Sequence, residues 1–290
     1  MKTLSHDAGG YAPVPGGNVF YRVIGGGEAA PLLTLHGGPG FPHNAFAPLV
    51  QLGDERAVIF YDQLGCGQSD RPDDPSLWRI ERAVEEVDAL RRHLGLTRIN
   101  LLGHSWGGAL AIDYVLSKPA GVEKLVLVSP LVSTRRWLAD AAILKAALPT
   151  DFRATIDRCE RDGNYANEAY VQACEVFYAR HVCRLRPLPA AYEESVAGLG
   201  EQVYNHMWGP SEFTCTGTLR DYERFERLAE IDAPTLWLCG RHDEARPETL
   251  ALYQQQIPGS RLHVFENSAH MSYLEETDEF LRVVRAFLAE

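Results

Sequence analysis

The sequence predicts an α/β fold, a mostly parallel, doubly wound sheet carrying one inserted helical cap domain. Three observations point there. Short apolar runs bounded by glycine or proline recur through the first half of the chain and return near its end, as buried parallel strands do. Helix-period patterns lie between them and give strand–helix–strand units. Between residues 131 and 228 the apolar runs stop and helical patterns take over.

In chain order, strands are expected at Val19–Ile24, Leu32–Leu35, Ala57–Tyr61, Ile99–Leu102 and Leu125–Val128. After the third run, Ile80, Ala83, Val84, Val87, Leu90 and Leu94 recur at helical spacing, and Gly95 stands where a C-terminal cap belongs. A second helix is expected over Ala109–Leu116. Further helical patterns cover Trp137–Leu148, Asp151–Arg161 and Ala166–Arg180, punctuated by Pro187, Pro189, Gly209 and Pro210. Strands resume at Thr235–Leu238 and Arg261–Phe265, and a helix over Glu275–Leu288 closes the chain. The economical organisation is a core domain from 1–130 and 229–290 and a helical cap from 131–228. A length of 290 residues suits one α/β domain with such an insertion.

Composition narrows the function. Hydrophobic residues make up 46% and charged residues 23%, as in a soluble globular enzyme and unlike disordered, collagenous or coiled-coil chains. Lys and Arg number 28 against 39 Asp and Glu, a net charge of −11. That argues against a nucleic-acid or anionic-membrane binder, which needs a basic face; it is compatible with a cationic small molecule and otherwise serves to keep the protein in solution. No apolar run is long enough for a transmembrane helix, and Met1–Gly17 lacks the apolar core of a signal peptide. Cys66, Cys159, Cys174, Cys183, Cys215 and Cys239 lie far apart with no CxxC pair, so reduced thiols in a cytoplasmic protein are expected. With no HExxH motif and no His/Asp cluster at ligand spacing, neither a metal nor another cofactor is expected.

The chemistry concentrates in four places. Gly103-His104-Ser105-Trp106-Gly107 matches G-x-S-x-G between a strand and a helix, the context in which a sharp turn lifts a serine hydroxyl above a helix N-terminus. His36-Gly37-Gly38-Pro39-Gly40 follows an earlier strand. Such a loop offers backbone N–H groups to a ligand, so Gly38 and the residue after the serine, Trp106, are the expected oxyanion donors, with Gly37 beside the substrate. A serine nucleophile needs a base, and the base an orienting acid, in the chain order Ser, acid, His. The run Thr235–Leu238 leads into Asp243 and Glu244, either of which is placed to be the acid. The run Arg261–Phe265 leads into His270, the expected base. His104 is expected to point elsewhere and His36 to order its loop. His242 precedes the acid and so stands out of order. His6, His43, His93, His181, His206 and His263 are read as surface or core residues.

These pieces resemble the proline iminopeptidase (prolyl aminopeptidase) family, serine peptidases of the α/β-hydrolase fold. The resemblance runs over nearly the whole chain. It includes the two glycine motifs, Tyr61-Asp62-Gln63-Leu64-Gly65-Cys66-Gly67-Gln68-Ser69-Asp70, Trp208-Gly209-Pro210-Ser211-Glu212-Phe213 with Thr216-Gly217, Gly240-Arg241-His242-Asp243-Glu244 and Asn267-Ser268-Ala269-His270-Met271. It implies a triad of Ser105, Asp243 and His270, which decides the acid in favour of Asp243. It implies too that Glu212 and Glu244 hold the free α-amino group of the substrate. The implied activity is an exopeptidase that removes one N-terminal residue, preferentially proline, from a small peptide or amino-acid derivative. Ser211 departs from the asparagine expected at that position in many relatives.

Elementary electrostatics supports the acidic pair independently. Two neighbouring carboxylates raise each other's pKa, and a bound ammonium relieves the repulsion. Proline adds a ring that needs a compact apolar slot, and Trp137, Phe177, Tyr178, Tyr204 and Trp208 are available in the cap to line it. The same triad on the same fold also serves ester or carbon–carbon bond hydrolysis, against which the two glutamates speak. An amidase or esterase of amino-acid derivatives would share the anchor and differ only in the leaving group. A non-catalytic binding module on this fold is the third alternative. Ser105 excludes an aspartate nucleophile.

Overall fold

The computed structural model describes residues 7–290. His6 and the first part of the Met1–Gly17 segment lie outside that range. Eight strands form one sheet: β1 (Ala8–Val14), β2 (Gly17–Ile24), β3 (Leu32–Leu35), β4 (Val58–Tyr61), β5 (Ile99–His104), β6 (Val122–Val128), β7 (Thr235–Gly240) and β8 (Arg261–Phe265). Their spatial order is β1-β2-β4-β3-β5-β6-β7-β8. The six strands from β4 to β8 in that order run parallel, while β1 and β2 pair antiparallel at one end.

Strand β1 was not anticipated. Its sequence AGGYAPV is rich in residues that sheets disfavour, and only Ala12 in it is buried. Pro13 is tolerable because β1 is an edge strand with one side unpaired. Partnership with β2 through register pairs Ala8↔Val23 to Val14↔Gly17 creates the strand, a tertiary gain that local propensity does not carry.

The central strands sort their side chains by simple alternation. Leu33, Leu35, Ile59, Tyr61, Leu101, Leu125, Leu127 and Trp237 face a core shared with helices α1 (Ile80–Leu94) and α2 (Trp106–Leu116). Their neighbours Leu32, Val58, Phe60, Leu102, Val126, Val128 and Leu236 face the opposite core. Each fully buried Leu or Val contributes about 1.5–3 kcal/mol, so strands with both faces covered are pinned in register. Gly95 ends α1 at φ 67°, its N–H returned to the carbonyls of Arg91 and Arg92, the cap expected from the sequence.

Between β6 and β7 lie five helices: α3 (Thr134–Ala146), α4 (Thr150–Asp162), α5 (Glu168–His181), α6 (Ala190–Ala197) and α7 (Glu201–Met207). They have their own apolar centre, including Ile156, Tyr170, Ala173, Phe177 and Phe213. After β7 come α8 (Pro247–Gln254), α9 (Ser272–Glu275) and α10 (Thr277–Ala289). The closing helix expected over Glu275–Leu288 is α10, starting two residues later, and a short separate turn, α9, precedes it. All six cysteines are free. Among the described residues no helix is long and apolar enough to cross a membrane.

Candidate active site

Ser105 sits between β5 and α2 at φ 56°, ψ −119°, a conformation that non-glycine residues seldom hold. Its backbone is fixed by Ser105 N–H donating to the Val128 carbonyl at 3.0 Å and by its carbonyl accepting from Gly108 and Leu131. The flanking glycines are required by close approach. A Cβ on Gly103 would stand 2.3 Å from the Gly107 oxygen, and one on Gly107 would stand 2.0 Å from the Leu35 oxygen. Gly103→Ala is therefore expected to cost about 1–3 kcal/mol through overpacking against backbone. A urea titration checks it, with an unchanged midpoint as the contrary result.

Asp243 follows β7 and His270 follows β8, on the same edge of the sheet as the end of β5. The Nδ1–H of His270 donates to Asp243 Oδ1 at 2.8 Å. That carboxylate is held on every side: Oδ1 also accepts from Ala245 N–H at 2.8 Å, and Oδ2 accepts from Gly240 N–H at 3.3 Å and from the Ser129 hydroxyl. Ser129 was not anticipated. It is fully buried, it follows β6 at φ 47°, and it is separated from Asp243 by 114 positions. The signal available for it was its place just past a strand neighbouring the one that leads to the acid.

The last turn of α5 reaches both loops. Glu244 N–H donates to the His181 carbonyl at 3.2 Å, and Met271 N–H donates to the Val182 carbonyl at 3.1 Å. The His181 ring adds a bond from Nδ1 to the His242 carbonyl at 2.9 Å. Between α6 and α7, Gly200 N–H donates to the Gly40 carbonyl at 2.9 Å. The inserted helices are thus bonded to the glycine loop after β3 and to the loops after β7 and β8.

A cavity of about 250 Å³ opens between the inserted helices and the strand ends. Gly38, Ser105, His270 and Glu212 line it, with apolar walls that include Phe41, Tyr178, Tyr192, Tyr204 and Met271. Of the five aromatics considered from sequence, Tyr178 and Tyr204 reach it. Trp137 and Trp208 line a narrower cleft beside Ser105, and Phe177 is core. Phe41, Tyr192 and Met271 were not anticipated, since aromatic and thioether side chains carry no positional signal of their own.

Glu212 Oε1 accepts from the Tyr204 hydroxyl at 2.7 Å. Burial raises its pKa, opposed by that bond and by the His270 charge. Glu244 is 1% exposed, and neither of its oxygens has a hydrogen-bond partner among the described residues. Its Oε1 lies 3.8 Å from His270 Nε2, beyond hydrogen-bond range. Burial pushes its pKa well above the ordinary range, and the charges of Glu212 and Asp243 push the same way.

The glycine loop lies against the serine. A Cβ on Gly37 would meet Ser105 Cβ at 3.2 Å. The Gly37 carbonyl is committed within the loop to Phe41 N–H and His36 Nδ1–H, whereas Gly38 faces the cavity. His36 is buried, which lowers its pKa to about 4. Its Nε2 accepts from Gln63 N–H at 2.9 Å, so it acts as a neutral loop-ordering residue. His104 does not point away from the site as expected. Its ring lies 4.5 Å from that of His270, and its Nε2–H donates to the His270 carbonyl at 3.1 Å. Burial first, then the His270 charge, push its pKa well down, so it supports His270 from behind as a neutral ring.

A hydroxyl on a strained elbow, an imidazole oriented by a saturated carboxylate and a neighbouring glycine loop are the parts that acyl transfer requires. Residues 30–277 match the family model described as alpha/beta hydrolase fold. The proline iminopeptidase of Heyndrickxia coagulans is 44% identical over 281 residues, covering 96% of this chain and 98% of that protein. The crystal structure of proline iminopeptidase from Mycobacterium smegmatis superposes with a TM-score of 0.89 at 38% identity, covering 97% of this chain and 98% of that one. That of VinJ gives 0.93 at 35% identity over the same shares.

Proposed function

The chain belongs to the proline iminopeptidase family of α/β-hydrolase-fold enzymes, and from that premise we propose that it releases an N-terminal residue, preferentially proline, through an acyl-enzyme on Ser105. The observation that carries the amine requirement is Glu244, a buried carboxylate with two unpartnered oxygens whose pKa is raised further by the charge of half-buried Glu212. Burying such a group without a partner is costly, and a substrate ammonium supplies both the charge and the donors.

In this reading Ser105 Oγ attacks the carbonyl of the first residue while His270 takes its proton. Asp243 holds the Nδ1–H tautomer and stabilises the imidazolium. Backbone N–H groups at Gly38 and Trp106 receive the oxyanion. His270 returns the proton to the leaving amine, and water then resolves the ester. Glu212 and Glu244 grip the free amine, so a chain is engaged only at its N-terminus. The apolar walls suit a compact ring. The six free cysteines support a cytoplasmic setting.

The test is turnover of proline β-naphthylamide beside its N-acetyl form and its alanine and leucine counterparts. The expected result is fast cleavage of the proline compound alone, with the acetylated form inert. Cleavage without regard to the side chain would keep the anchor and remove the proline preference. Hydrolysis of simple esters with no amine substrate accepted would overturn the exopeptidase reading.

A further inference from the structure

The segment Asp62–Asp70 follows β4, and the chemistry above assigns it no part. One residue in it joins the two loops that carry the oxyanion donors. Gln63 is buried at 4% exposure. Its side-chain Nε2–H donates to the His36 carbonyl at 2.9 Å, and its backbone N–H donates to His36 Nε2 at 2.9 Å. Its Oε1 accepts from the Trp106 indole Nε1–H at 2.8 Å. The amide orientation is chemically determined, because a carbonyl only accepts and an indole N–H only donates.

His36 immediately precedes Gly37 and Gly38, and Trp106 immediately follows Ser105. The two loops already touch: a Cβ on Gly107 would stand 2.6 Å from the His36 oxygen. Packing sets how near they can come, and a bridge bonded at both ends sets how far they can part. We propose that Gln63 is a positioning residue that holds the backbone N–H groups of Gly38 and Trp106 at the separation a tetrahedral oxyanion needs. The proposal rests on the acyl-transfer reading above. Stabilisation by preorganised donors depends on their geometry at the developing charge. A loosened bridge therefore acts on the transition state and leaves substrate binding alone.

Two variants test it. Gln63→Met keeps the side-chain length and removes both side-chain bonds. Trp106→Phe removes the indole N–H and keeps the Trp106 main chain, so it cuts one end of the bridge; because the indole is fully buried, the smaller ring also leaves a cavity, and a thermal melt accompanies the kinetics. In each, kcat on a free-amine proline anilide is expected to fall about 10- to 100-fold, less than the loss on deleting a donor outright, with KM within about twofold. Inhibition by an α-amino aldehyde should weaken by the same factor. There Ser105 Oγ adds to the aldehyde carbon and its proton passes to His270, which leaves an alkoxide in the hole. Inhibition by free proline, which forms no adduct, should be unchanged. Unaltered kcat in a natively melting Trp106→Phe protein would overturn the proposal, as would a rise in KM and in the proline inhibition constant without loss of kcat. If Gln63→Met fails to fold, Trp106→Phe decides alone. Hydrolysis of p-nitrophenyl acetate separates the two readings, since it uses the hole and not the amine anchor. A wild-type protein that ignores amine substrates, with acetate turnover falling in both variants, would sink the exopeptidase reading and uphold Gln63.

Discussion

Ser105→Ala is expected to lose about 10³-fold or more in kcat on any acyl substrate while melting like the parent. The backbone at 105 is held by hydrogen bonds of its own N–H and carbonyl, which alanine keeps. What disappears is the oxygen that forms the acyl bond. The residual rate would come from the donors and from binding. The check is single-turnover kinetics beside a thermal melt. A variant turning over at the parental rate would remove Ser105 from the chemistry and with it the acyl-enzyme.

Glu244→Gln is expected to cost about 2–5 kcal/mol in kcat/KM for free-amine substrates, roughly 30-fold or more. Glu212→Gln should follow in the same direction. Ester substrates without an amine should be hydrolysed as before. Both glutamates are raised, so the empty pair keeps a proton at pH values where ordinary carboxyls have lost theirs. A bound ammonium favours the ionised form, so binding expels that proton, and kcat/KM climbs as pH rises through the raised window. Calorimetry with prolinamide in two buffers of different ionisation enthalpy reads the release directly. Stability runs the opposite way. A carboxyl raised in the folded state contributes fully below its unfolded pKa, and the contribution fades as pH rises towards the folded value. Glu244→Gln should therefore melt higher than the parent at neutral pH and converge with it in acid. Equal amine dependence in both proteins would remove Glu244 from the anchor.

The parts of the fold legible in the sequence were those with a local cause. Strands β3, β5 and β7 read clearly because every residue in them is buried and the runs are correspondingly apolar. Strand β1 did not, because its existence depends on β2. At the site, motif and chain order could single out Ser105 and His270 and narrow the acid to Asp243 or Glu244, since strand ends announce where loops gather; the choice of Asp243 came from the family resemblance. Gln63 was not legible as a partner, and Ser129 only through its place at a strand end. Each is one polar residue whose bond crosses a large stretch of chain, 114 positions to Asp243 and 43 to Trp106. No local pattern encodes such a contact.

The bonds from the end of α5 to the neighbouring loops are made largely by main-chain carbonyls, those of His181 and Val182. A carbonyl is the same in every residue type. Substitutions can accumulate along this stretch without breaking the attachment, so side chains lining the cavity are free to drift towards new substrates. A change of length is another matter. One residue gained or lost within α5 would rotate the last turn by about 100° and carry the acceptors away from the Glu244 and Met271 amides. Within this helix the cavity wall is thus open to change by replacement and closed to change by length.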